Sequence, residues 1–92
     1  MLNKYLVEFL GTFLFLFVII YTGNFIAIGF TLALVIYLGG KISGGNFNPA
    51  VSVMMAVAGK LPIQDLAGYI SAQILGGLAA FVLYSQLGKL KK

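Results

Sequence analysis

Residues 43–51 read Ser43-Gly44-Gly45-Asn46-Phe47-Asn48-Pro49-Ala50-Val51, and they are the most informative part of the chain. Its adjacent glycines and its proline do not allow a single helix to run through it. After Asn48 the pattern becomes helical, because asparagine is a good N-cap, proline is favoured at the first helical position, and an apolar run follows to a glycine. A helix over Pro49–Gly59 is about 16 Å long, which crosses half of a hydrocarbon core about 30 Å thick.

The segment before this stretch is one long apolar run. Residues 9–40 contain no charged side chain. As a single helix they would extend about 48 Å, which is too long for one crossing of a core about 30 Å thick. Residues 21–24 include a Gly-Asn pair that favours a turn. The pattern therefore predicts helices over Leu2–Ile20 and Phe25–Leu38, the second short for a span, with Lys41 snorkelling beyond it.

The segment after the stretch predicts a third spanning helix over Leu66–Gly88, which contains no charge. Asp65, which follows Pro62, is a plausible start signal. Small residues recur every fourth position along the segment, which favours close approach of a neighbouring helix over mere abundance of glycine and alanine. These residues are Gly68, Ala72, Gly76 and Ala80.

The composition places these segments in a membrane. The chain is 61% hydrophobic and 9% charged, with a mean hydropathy of +1.05. A soluble domain of this size needs a polar exterior, which two acids and six lysines cannot supply. The absence of histidine and cysteine excludes a histidine base, a Ser-His triad and thiolate or histidine metal sites. No cofactor is expected, and an enzyme is disfavoured because Glu8 and Asp65 lie on separate segments and form no acid–base pair.

The net charge of +4 does not indicate nucleic acid, because the lysines are scattered or flank apolar segments and suit lipid headgroups. A removed signal peptide is an alternative for the N-terminus, where an apolar run follows Lys4. Glu8 interrupts that run and no clear cleavage site follows.

The sequence thus predicts an all-α membrane protein, with three transmembrane helices and one re-entrant half-helix approached by an irregular loop. Bare backbone at membrane depth is tolerated only where it is buried or lines a watery cavity, so the loop favours passage of a polar solute.

Residues 43–51 resemble the first-repeat signature of the aquaporin, or major intrinsic protein, family. Residues 8–12 resemble the Glu-x-x-x-Thr signature of the family's first span, and residues 69–76 are similar to its third span. The similarity covers nearly the whole chain in the right order. Family members carry two inverted repeats, so residues 1–92 resemble a single half-aquaporin repeat.

The resemblance implies a set of pore residues. The side-chain amide of Asn48 would donate into the pore, beside the positive N-terminal end of the half-helix. Loop carbonyls would replace hydrogen bonds that single-file water loses. The pore-lining and solute-contacting set is Asn48, Pro49, Ala50, Gly44, Gly45, Asn46, Ile28 and Val51.

Two further residues are expected to support the loop. Glu8 is either an interfacial acid among headgroups or, as the resemblance favours, an acceptor for backbone N–H groups of the loop before Asn48. Gln73 would do a similar job or make a simple helix–helix hydrogen bond.

The sequence departs from the family pattern at the constriction. Val51 stands where a second repeat carries an arginine, and Ile28 falls where an aromatic filter residue often lies. Two identical chains would therefore make an unusually apolar constriction. Ser52 replaces the acid of glycerol facilitators, which disfavours glycerol.

These features predict a channel subunit in the cell membrane, in which two inverted copies form a pore for water or small neutral solutes. Family tetramers would correspond to eight chains. The alternatives are a non-conducting structural or regulatory membrane subunit and a fragment of a two-repeat aquaporin. Lysine gives no orientation signal, with three expected on each side: Lys4, Lys41 and Lys60 against Lys89, Lys91 and Lys92.

Overall fold

A computed structural model describes residues 2–91 of the chain. Lys92, one of the three lysines expected on the second side of the membrane, lies outside the described residues. Four helices follow one another within these residues, and no strand occurs among them. Three of the helices are long and apolar enough to cross a membrane, which confirms the predicted fold class. The helices are α1 (Leu2–Thr22), α2 (Phe25–Ser43), α3 (Pro49–Val57) and α4 (Ile63–Lys91).

The predicted end of the second helix at Leu38 is wrong. α2 continues through two glycines to Ser43, has 19 residues, and is therefore not short for a span. The reason lies in packing: a Cβ on Gly39 would lie 2.7 Å from Val7 Cγ1 and 3.2 Å from Phe47 Cζ. This glycine admits neighbouring side chains and does not break the helix.

The other helix limits differ less from the prediction. α1 runs two residues further, and α4 begins three residues earlier and ends three later than expected. α3 has nine residues, because Ala58 is its C-cap and Gly59 adopts a left-handed φ of 78°. The predicted turn between the first two helices is confirmed, with Gly23 at a φ of 57° and Asn24 as the N-cap of α2.

α1 is the central helix of the fold. It packs against α2 on one side and α4 on the other, whereas α3 packs against α4. Lys4 Nζ lies 2.7 Å from Asp65 Oδ2, so α1 and α4 begin at the same end of the molecule, here called the Lys4 end. The end where Tyr21 and Tyr84 line a common cavity is called the Tyr21 end.

The predicted stripe of small residues on α4 faces α1. A Cβ on Gly68 would overlap the ring of Tyr5, and one on Gly76 would lie 2.7 Å from the carbonyl oxygen of Phe9. Ala72 and Ala80 are buried. Close helix approach along this stripe is therefore confirmed.

α3 is re-entrant. The residue before its cap, Phe47, packs its ring against Gly11 near the middle of α1. From there the chain runs back to the Lys4 end, where α4 begins. Nine residues span about 14 Å, which is about half of a membrane core of about 30 Å.

The surface is apolar and much of the interior is polar, as expected for a protein in lipid. The outer face of α2 exposes Phe25, Phe30 and Tyr37 by 70–81%. The buried polar residues instead gather where the loop meets α1 and α4, and that cluster contains the candidate site. They are Glu8, Thr12, Ser43, Asn46, Ser52 and Gln73.

Candidate functional site

The N-terminus of α3 is formed by the Asn-Pro-Ala sequence as predicted. Asn48 has extended backbone (φ −164°, ψ 125°), and its Oδ1 accepts a hydrogen bond of 2.8 Å from the N–H of Ala50. Pro49 occupies the start of the helix. Asn48 is exposed, and its Nδ2 donates to no side chain or backbone group among residues 2–91. The capping oxygen is thus used within the chain, whereas the amide hydrogens are available to a ligand.

The carboxylate of Glu8 accepts hydrogen bonds from the loop and from α4. Its Oε1 accepts from the N–H of Phe47 at 2.7 Å, and its Oε2 accepts from the N–H of Asn46 at 3.1 Å. Ser43 Oγ donates to Oε2 at 2.6 Å, and Gln73 Nε2 donates to Oε1 at 2.7 Å. An ionised carboxylate has about four acceptor positions. Glu8 is fully buried and fills all of them with donors, so the contact to loop amides is present and the headgroup interpretation is wrong.

Ser52 links the half-helix to both the loop and α4. Its Oγ accepts from Asn46 Nδ2 at 3.0 Å and from Gln73 Nε2 at 2.8 Å. Gln73 therefore makes more than a simple helix–helix bond, because one amide group contacts both Glu8 and Ser52. Loop, half-helix, α1 and α4 meet in one hydrogen-bonded cluster.

A tyrosine on α4 fixes the other end of the loop. Tyr69 Oη donates to the carbonyl oxygen of Ser43 at 2.7 Å, and Tyr69 is 2% exposed. Ser43 is the last residue of α2, where carbonyl groups lack helical partners. The bond therefore satisfies a buried acceptor and defines where the loop departs from α2.

A cavity of about 310 Å³ lies between α1 and α4 beside the start of α3. Two buried polar atoms near it, Thr12 Oγ1 and Gln73 Oε1, have no hydrogen-bond partner among the described residues. The lining comprises Thr12, Phe15, Leu16, Phe47, Asn48, Pro49, Gln73, Ile74, Gly77 and Leu78. Asn48 and Pro49 thus face open space on the side away from their own helix.

The other predicted pore residues differ in solvent exposure and in their position along the molecule. Gly44 and Ala50 are exposed, and Gly45 is half-buried. The Asn46 side chain is buried and bonded to Ser52, so its amide does not face open space. Ile28 lies one turn into α2 at the Tyr21 end, whereas Val51 lies on α3 in the half nearer the Lys4 end. One chain does not bring these two side chains together.

Sequence reasoning assigned no supporting role to Ser43, Ser52, Phe47 or Tyr69. The signal for three of them was their type: polar side chains within apolar segments usually face the protein interior. Phe47 gave no such signal, because a phenylalanine in this chain is indistinguishable from a lipid-facing one.

Three helices long and apolar enough to span a membrane, with a shorter helix whose start packs near the middle of α1, are typical of an integral membrane protein with a re-entrant half-helix. Residues 1–91 match the Major intrinsic protein family, and the chain belongs to it. It is similar to the glycerol uptake facilitator protein-like 6 of Lactiplantibacillus plantarum, with 44% identity over 88 residues, covering 86% of this chain and 41% of that protein. It is also similar to aquaporin Z of Brucella melitensis, with 43% identity over 95 residues, covering 87% of this chain and 42% of that protein.

The chain therefore spans less than half the length of these two relatives. The family consists of membrane channels of the aquaporin and glycerol-facilitator type, and not of enzymes. Such channels usually reside in the cell membrane.

Proposed function

We propose that this chain is one half-aquaporin repeat and a subunit of a channel for passive flux of water or small neutral solutes. The observation that carries the proposal is Asn48, whose amide hydrogens are unused at the exposed N-terminus of a half-helix. Such a terminus carries about half a positive charge, which attracts a water or hydroxyl oxygen and repels cations. Gly44 and Gly45 offer carbonyl groups nearby, while Glu8 and Gln73 hold the loop.

The pore requires a second half, because a single half-helix crosses only half of the membrane. We propose that a second copy in inverted orientation supplies it. Inversion would place the partner's half-helix in the membrane half that contains Ile28, so that Val51 of the partner subunit and Ile28 of this chain share one apolar constriction. Four such pairs would make eight chains. The apolar outer face of α2 would then contact lipid or neighbouring subunits.

A second repeat outside this sequence is the other candidate for the missing half. It is favoured by the coverage of the relatives, of which this chain spans 41% and 42%. A non-conducting subunit is the third. Vesicles that hold only this purified chain separate the first candidate from the other two, because osmotic swelling faster than in empty vesicles requires a pore built from copies of this chain.

The inverted pair predicts insertion in both orientations. Three lysines are expected on each side, and the ion pair of Lys4 with Asp65 does not remove Lys4 from the count, so lysine gives little orientation signal. A tag after the C-terminus should be labelled by an impermeant reagent in part of the population in intact cells, and fully after permeabilisation. Labelling of all molecules from one side would contradict the inverted pair of identical chains.

Replacing Asn48 by aspartate is expected to make the channel leak protons or cations. The cap on Ala50 is retained, because aspartate caps as well as asparagine. A negative charge at the helix N-terminus, however, offsets the dipole that repels cations. Proteoliposomes with an internal pH-sensitive dye report the leak, and light scattering reports water flux on the same preparation. A mutant that conducts water and stays proton-tight would refute the role of Asn48 in the barrier.

A further inference from the structure

The loop contains an unusual backbone residue. Phe47 has a φ of 54°, and it is the one non-glycine residue between 2 and 91 with a positive φ. Gly44 and Gly45, in the same loop, also have positive φ but carry no side chain to strain. A bulky residue in this region is costly and persists where its surroundings over-determine it. The loop thus has glycine at two left-handed positions and phenylalanine at the third, where a side chain is costly.

The ring of Phe47 fills a notch made by two glycines on different helices. A Cβ on Gly11 of α1 would overlap the ring, and one on Gly39 of α2 would lie 3.2 Å from its Cζ. The residue is 1% exposed. The ring also separates two cavities, one between α1 and α2 and one between α1 and α4. It is therefore a wedge between the loop and the two helices.

The wedge acts on the residue that follows it. The N–H of Phe47 is bonded to Glu8, so main chain and ring attach to α1 together. Asn48 is the next residue, and its side chain is exposed while that of Phe47 is buried. The bond from Ala50 fixes the Asn48 oxygen relative to α3, but it does not fix the depth of the cap relative to α1 and α2. The contacts that can fix that depth are the bonds of the loop to Glu8 and the ring contact with Gly11 and Gly39.

We propose that Phe47 is a positioning residue, whose ring in the notch of Gly11 and Gly39 fixes the place and direction of the Asn48 amide. The proposal rests on the function proposed above, in which that amide contacts the permeating solute. The competing interpretation is that the ring only fills space.

The decisive variant is Phe47→Gly. Glycine accepts the left-handed φ without strain and retains the N–H that Glu8 binds, but it leaves the notch empty. Nitrogen-15 NMR of the Asn48 side-chain amide, assigned by its loss in Asn48→Asp, reports position without requiring conduction. The wild type should give one pair of amide signals, and Phe47→Gly should broaden or split it. Phe47→Leu, which keeps an apolar side chain in the notch, should restore a single pair.

The second readout is the ratio of water flux to proton flux in proteoliposomes. Loss of this ratio in Phe47→Gly, with recovery in Phe47→Leu, supports the proposal. Unchanged amide signals and an unchanged ratio, with only a lower melting temperature, would show that the ring merely fills space. A wild type that conducts nothing would refute the proposed function alone, since the amide signals still test the positioning.

If Phe47→Gly does not fold, Gly11→Ala tests the same contact with the loop sequence intact. The new methyl group displaces the ring from the notch. The Asn48 amide should then shift or broaden, whereas the matched variant Gly29→Ala, with no atom within 4 Å of its new Cβ, should leave it unchanged. Identical amide spectra for both variants would overturn the proposal.

Discussion

Replacing Glu8 by glutamine is expected to lower the free energy of unfolding by at least about 1.5–3 kcal/mol, because one hydrogen bond to a charged group is lost and the others are made to a neutral amide. The carboxylate accepts four donors, two on each oxygen. A glutamine offers one oxygen to two of them and turns an NH₂ group toward the other two. With the NH₂ at the position of Oε2, the Ser43 hydroxyl can rotate to accept from it, but the N–H of Asn46 cannot, so one backbone donor faces a donor in a fully buried site. Denaturant or dodecyl sulfate titration of the protein in mixed micelles measures the change.

Asp65→Asn is the matched control for Glu8→Gln. It also converts an acid to its amide, and Asp65 lies on α4 at the Lys4 end. Asp65 contacts Lys4 and the hydroxyl of Tyr5 near the surface, where water can replace either partner. It should destabilise the protein much less. Equal unfolding curves for Glu8→Gln and the wild type would mean that the carboxylate does not hold the loop.

The parts of the fold that could be predicted from the sequence are those set by local residue patterns. A cap, a proline at the first helical position and a glycine turn define α3, and their pattern is local. The contact of Glu8 with the loop was expected from the family resemblance, and it agrees with the need of a charge in an apolar segment for partners. The stripe on α4 was predictable because small residues at every fourth position lie on one helix face.

The rest depends on which residues meet, and local pattern does not contain that information. Gly39 resembles a helix stop in the sequence, but the ring of Phe47 and the side chain of Val7 explain it. Asn46 and Asn48 are the same residue type two positions apart. One is buried against Ser52 and the other is exposed, and this difference follows from the left-handed residue between them. Neither the positive φ of Phe47 nor the notch formed by Gly11 and Gly39 can be recognised from composition or periodicity.

Replacing Gly76 by alanine tests the contact that brings the two longest helices together. The new Cβ would lie 2.7 Å from the carbonyl oxygen of Phe9 and 3.1 Å from the backbone nitrogen of Phe13. Backbone atoms cannot rotate away, so α1 and α4 must separate. We expect a net loss of about 1–3 kcal/mol, as for overpacked cores, even though alanine favours a helix over glycine by about 1 kcal/mol.

The neighbouring glycine provides the control for this prediction. In Gly77→Ala the closest atom to the new Cβ is Leu16 Cδ1 at 2.8 Å, the end of a flexible side chain that can change rotamer. The two variants add the same methyl group to adjacent positions of one helix, and differ in whether the obstacle is backbone or side chain. Unfolding titrations of both should show a clear loss for Gly76→Ala and little change for Gly77→Ala. Because α1 also carries Glu8, separating the helices should loosen the bond between Glu8 and Gln73. Equal stability of the two variants would mean that α1 and α4 are not in backbone contact at Gly76.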